Sequence, residues 1–223
     1  EQMGLNYASN IVPNSMTTVI NGIFNSLDLI YGTPAYPLTW LMISAARGSF
    51  SLVLLLVVIY YAGELVQRER LAGLKQIVDA APYPSGIMVA AKVAGLWFVL
   101  LVMLLVVMLT CVIVQLLHGY TDIQPGLYLT GLFGAGGIDF YLLAVLSVVV
   151  QVFSPNKFLG MLVTVLIFIG LQTLSSLDFE HYLYRFEVPF APYSDMTGYG
   201  HYKLPQLAFS AYWLLWSGVL VLL

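Results

Sequence analysis

Long stretches without a charge alternate with short polar segments along this chain, and their lengths set the architecture. The run GSFSLVLLLVVIYYAGELV (48–66) meets its first charge at Glu64, and the run Ile87 to Leu117 holds only Lys92, near its start. A helix needs about 20 mostly apolar residues to cross a hydrocarbon core of roughly 30 Å. Both runs qualify. At a rise of about 1.5 Å per residue the first covers roughly 29 Å, while a helix over 86–117 measures about 48 Å and must tilt or protrude.

Between them lies QRERLAGLKQIVDAAPYPS (67–85). Leu71, Leu74, Ile77 and Val78 recur on one helical face, with Arg70, Lys75 and Asp79 elsewhere, which predicts an amphipathic helix over 69–80. Pro82 and Pro84 close the connection and Ser85 is placed to cap the next helix. Further on, LYLTGLFGAGG (127–137) is apolar but rich in glycine, and predicts an interfacial or re-entrant piece before a third crossing at 138–153. SPNK (154–157) is a tight turn and Phe158–Leu174 a fourth crossing. A polar, aromatic loop (175–206) leads to a fifth apolar run that starts near Leu207 and is unfinished at Leu223.

The N-terminal segment 1–47 is polar, and its apolar positions Val19, Ile20, Ile23, Phe24 and Leu27 predict a short interfacial helix around Met16–Leu29. Leu38–Ala46 adds a turn or two before the first crossing. The expected fold is all-α: a polytopic helical membrane protein with about five transmembrane helices visible plus interfacial helices. Its two parts are an external segment, 1–47, and a transmembrane domain, 48–223. Glu1 is not an initiator methionine and the last apolar run is cut short, so a piece of a larger protein is expected.

Composition narrows the class. Hydrophobic residues make up 60% of the chain and charged residues 9%, and mean hydropathy is +0.90. So few charges leave too little polar surface to clothe a soluble globule. The net charge of −3 and the lack of a basic tract argue against nucleic acid as a partner. The single cysteine, Cys111, excludes an internal disulfide and reads as a buried small hydrophobe.

Lysine and arginine in short loops set orientation. If each run crosses once, hairpin 67–85 and turn 154–157 share a side, which then holds Arg68, Arg70, Lys75, Lys92 and Lys157. The other side holds Arg47, Arg185 and Lys203. The hairpin is therefore expected in the cytoplasm and the loop 175–206 outside.

Two acidic residues stand near membrane depth. Glu64 falls in the last turn of its expected helix, where the helix dipole disfavours a carboxylate. Either Arg68 at i+4 compensates it, or it sits in water at headgroup level. Asp139 follows Gly136 and Gly137; it either occupies a helix first turn, where negative charge is favoured, or contacts substrate. Lys92, within the first two turns of its helix, can snorkel to the headgroups.

The hairpin helix can lie flat at the interface or dock into a groove on a soluble partner; pattern alone leaves both open. The residues themselves carry a resemblance. YAGELVQRERLAGLKQIVDAAPYP (61–84), LLHGY (116–120) with GLYL (126–129), VQVFSPNKFLG (150–160) and HYLYRF…YSDMTGYGHY (181–202) resemble, in order, type-2 ABC transporter permeases. The closer likeness is to the bacterial subgroup whose permease is fused to a zinc aminopeptidase. Tyr61, Gly63, Glu64, Leu65, Val66, Arg68, Glu69 and Arg70 fit that subgroup's pattern, whereas Gln67 stands where an aromatic is usual.

The resemblance implies a permease half of an exporter in a bacterial inner membrane. Its hairpin would contact a nucleotide-binding ATPase subunit, with Arg68, Glu69, Arg70 and Lys75 at the rim and Leu71 and Leu74 as apolar anchors. ATP and magnesium would belong to that partner, and a second permease half or copy would complete the transporter. The rival reading is a membrane anchor for a fused aminopeptidase. The chain has no GxxxxGK[ST] phosphate loop and no HExxH zinc motif, so neither ATPase nor peptidase chemistry is expected within it. His181, His201 and the acids of the external loop fit no compact metal-ligand spacing, and that loop reads as an aromatic cap at the headgroups.

Overall fold

The computed structural model describes residues 37–73, 85–173, 181–186, 188–189, 193–194, 196 and 198–222. Its elements are α1 (Thr39–Leu71), α2 (Ser85–Leu117), α3 (Pro125–Tyr128), a π-helical stretch (Leu129–Ala135), α4 (Ile138–Phe153), α5 (Lys157–Thr173), α6 (Tyr182–Arg185), a 3-10 turn (Gly200–Tyr202) and α7 (Lys203–Leu222). No strand occurs among the described residues, and a lone antiparallel bridge joins Ser194 to Gly198. The protein is an all-α, polytopic helical membrane protein. Among the described residues, four helical runs are long and apolar enough to cross a membrane: α1, α2, Pro125–Phe153 and α7. The fifth expected crossing, α5, has 17 residues, which at a rise of ~1.5 Å gives about 26 Å, the lower limit for a span.

Two boundaries differ from expectation. The helix that holds the first crossing runs from Thr39 to Leu71, past the apolar run 48–66 at both ends. No proline follows Pro37 until Pro82, and Ala45 and Ala46 are strong helix formers, so nothing interrupts the helix at Gly48. The expected helix over 69–80 therefore loses its first turn, since Glu69, Arg70 and Leu71 complete α1. Gly73, at φ +70°, then adopts the left-handed conformation that ends a helix. Leu74, Lys75 and the interfacial helix expected at Met16–Leu29 lie outside the described residues.

The glycine-rich piece is helical as far as Ala135 and, after a turn at Gly136 and Gly137, leads into α4. Pro125 opens α3 at a position whose N–H would have no helical partner anyway. The following turns widen, and Gly136 N–H donates to the Gly131 carbonyl at 2.9 Å, an i→i+5 bond.

The chain divides into two compact units. One combines the first part of α1 with the second part of α2 and the segment through Gly136; the other combines residues 55–102 with everything from Gly137 on. In the first unit Met42, Ala46, Phe50 and Leu54 recur every four residues along the buried side of α1, and Leu104, Val107, Cys111 and Val114 along that of α2. The Cys111 thiol sits 4.0 Å from the Met42 carbonyl. The buried Gln115 carboxamide is satisfied on both sides: Nε2 donates to the Pro37 carbonyl at 2.8 Å and to Thr39 Oγ1 at 3.3 Å, while Oε1 accepts from the Tyr128 hydroxyl at 2.8 Å. Gly119, at φ +75°, closes α2, with Tyr120 N–H bonded to the Gln115 carbonyl and Gly119 N–H to that of Leu116. In the second unit α4 packs against both α5 and α7. Trp97 of α2 donates to the Tyr141 carbonyl at 3.0 Å, its ring edge-on to the Tyr141 ring.

The π turn leaves no room for a side chain at its end. A Cβ at Gly136 would lie 2.2 Å from the Gly131 carbonyl oxygen and 3.1 Å from Arg47 Cδ, whereas one at Gly134 meets nothing nearer than 4.0 Å. Gly136→Ala is therefore expected to destabilise the protein by about 1–3 kcal/mol, and Gly134→Ala to leave it unchanged or better. Thermal unfolding of both variants in the same detergent checks the contrast.

Candidate functional site: the polar end of α1

The last turns of α1 leave the apolar pattern, and the second unit gathers around them. Tyr60, Glu64 and Gln67 follow at i, i+4 and i+7, so they share one face of the helix. That face meets the end of α4, the turn 154–156 and the start of α5. The turn exists because Pro155 disfavours helical backbone at Ser154, whose ψ of 137° is extended. The carbonyls at the end of α4 have no partner within their own helix. Gln67, itself buried, supplies one: its Nε2 donates to the Gln151 carbonyl at 3.3 Å and the Ser154 carbonyl at 3.1 Å. The fully buried Gln151 side chain extends the bridge by donating to the Lys157 carbonyl at 3.3 Å.

Glycine permits this close approach. A Cβ at Gly160 would fall 2.3 Å from Gln151 Oε1, and one at Gly63 would fall 2.6 Å from Met161 Cε and 3.2 Å from Gln151 Nε2. Two ion pairs flank the slot. Lys157, at the start of α5, pairs with Glu64, and its ammonium lies 4.8 Å from the centroid of the Tyr60 ring. The Tyr60 hydroxyl donates to the same carboxylate at 3.4 Å. Lys92 of α2 pairs with Glu69 at 2.7 Å, with the lysine side chain only 13% exposed.

These contacts add partners that the sequence did not point to. Glu64 takes Lys157 from another helix in addition to the charge of Arg68 on its own. Lys92 takes Glu69. The hairpin ends and the turn 154–157 do lie at one end of this unit, as single crossings require. Arg68 and Leu71 are exposed there, Leu71 at 80%; Arg70 belongs to the same turn.

Asp139 lies at the other end of α4, in its first turn, and its Oδ1 accepts from Val188 N–H at 3.2 Å. It thus ties the aromatic segment to α4. Around that segment His181 and Tyr182 pack on Phe209, and Phe186 on Trp213. His181 Nδ1 accepts from Leu183 N–H at 3.3 Å, as a helix cap does.

Gln151, Gly160 and the pairing roles of Lys92 and Lys157 escaped the sequence reading. A signal was present: Gln67 and Gln151 are carboxamides at the ends of apolar helices, where a polar group must find a partner inside the protein.

Helices long and apolar enough to span a bilayer, gathered around a polar helix end, define a polytopic membrane protein. Residues 9–171, well over half the chain, match the ABC-2 family transporter protein model. The chain belongs to that family, and is an integral membrane permease component of an ABC transporter. No curated protein and no solved structure matches it.

Gln67→Leu removes the donor that serves the end of α4 and is expected to cost about 1–3 kcal/mol of stability. Arg68→Ala, one position on and exposed, should cost less than about 0.5 kcal/mol. Unfolding midpoints in detergent distinguish the two.

Proposed function

We propose that this permease part moves its substrate by alternating access, driven by ATP hydrolysis on a partner subunit that docks against the end of α1 and the hairpin after it. Arg68, Glu69, Arg70 and Lys75 rim that contact and Leu71 and Leu74 anchor it; ATP and magnesium stay on the partner. The observation that carries this reading is Leu71, a large apolar side chain 80% exposed in a turn that also holds Arg68 and Arg70. A hydrophobic anchor ringed by charge is the usual composition of a protein contact.

The bias of basic residues to the short loops supports a cytoplasmic hairpin and an external loop 175–206, in a bacterial inner membrane. A second permease half or copy completes the pathway. Asp139 holds the external segment in place.

In the full-length complex, replacing Leu71 and Leu74 together by Asp is expected to weaken ATPase retention at least ~10-fold, the equivalent of 1.4 kcal/mol. Undiminished co-purification would remove this interface. Independently, Lys75→Cys should react with a membrane-impermeant maleimide only after cells are permeabilised; labelling in intact cells would invert the topology.

A further inference from the structure

Four charges around the end of α1 bridge three helices in the second unit. Glu69 lies in the last turn of α1 and Lys157 in the first turn of α5, each at the end where its own helix dipole is unfavourable. Glu64 lies one to two turns before the end of α1, and Lys92 about two turns into α2. Glu69 pairs with Lys92, and Glu64 with Lys157, so each of these four is paired across helices, with Arg68 adding charge near Glu64 from α1 itself. Lys157 has no acidic residue on α5 to turn to. Pulling α1 away from α5 would leave Lys157 at a helix N-terminus without its carboxylate, and Glu64 with only Tyr60 and Arg68 of its own helix. The slot between the pairs has no room for a further side-chain carbon, since a Cβ at Gly63 or Gly160 would run against the Gln151 side chain.

We infer that Lys92 and Lys157 are positioning residues for the coupling step. They clamp the end of α1 to α2 and α5, so that a push on the hairpin moves three helices as one body. This inference rests on the ATPase-docking reading above.

The test uses the full-length complex with its ATPase in lipid nanodiscs, and spin-label distances without nucleotide and after trapping with ATP and vanadate. Labels at Leu56→Cys and Leu166→Cys report α1 against α5; labels at Leu56→Cys and Phe98→Cys report α1 against α2. Leu56, Phe98 and Leu166 are exposed, and the native Cys111 is buried. In the native background both distances are expected to stay fixed on trapping. Lys157→Met keeps the stem over Tyr60 but removes the charge; it should open the first distance by more than ~2 Å on trapping, a typical helix shift. Lys92→Met should do the same for the second. The exchange Glu64→Lys with Lys157→Glu should restore the fixed distance.

Native distances that shift on trapping, methionine variants that stay fixed, or an exchange that restores nothing would each overturn the clamp. Retention of the ATPase is read first, by co-purification, for every variant. Loss from the native complex overturns the docking reading and the clamp together, whereas loss only from the methionine variants overturns the clamp alone.

Discussion

Within a bilayer no water is at hand to satisfy a stray polar group, so a helix end that carries amides and charges must find its partners in the protein. The end of α1 meets this demand through Gln67, Glu64 and Glu69, which reach three other elements. Gln67 serves the open carbonyls of α4, and the two acids take a lysine each from α5 and α2. Those contacts work only at short range, and short range in turn requires Gly63 and Gly160. Position, hydrogen bonding and backbone approach are thus one constraint expressed three times.

The second unit separates its tasks by end. At one end, ion pairs and carboxamides surround the turns nearest the basic hairpin. At the other, Asp139 accepts from Val188, and aromatic side chains from 181–186 pack along the start of α7. Between them the contacts are largely apolar, with the Trp97–Tyr141 bond as a polar pin.

The spans were legible because run length and lack of charge are direct physical requirements for crossing a membrane. Their ends were less so. Apolar patterning located the first crossing and a turn or two at Leu38–Ala46 before it, but not that the two form one unbroken helix from Thr39, because a continuing helix of mixed polarity has no distinctive period. The end at Leu71 depends on Gly73, a residue that the amphipathic reading of 69–80 passed over. For Asp139 the preceding glycines offered a helix first turn as one of two readings; the fold puts it there, and only the fold revealed its acceptor role for Val188. The Glu64–Lys157 pair could not be read at all, since its members are 93 residues apart and a local i+4 partner offered itself. Gln151 was hidden by its neighbours: one carboxamide among valines barely alters hydropathy, yet it organises the contact between α1, α4 and α5.

The burial of Cys111 has a practical side. With its sulfur enclosed between α2 and the Met42 carbonyl, the only thiol of the chain is shielded from aqueous alkylating agents while the fold is intact. The native sequence thus behaves as a silent background for thiol chemistry. Any reactivity that emerges in an otherwise unaltered chain would signal separation of α1 from α2, which makes this cysteine an intrinsic gauge of unfolding in the bilayer.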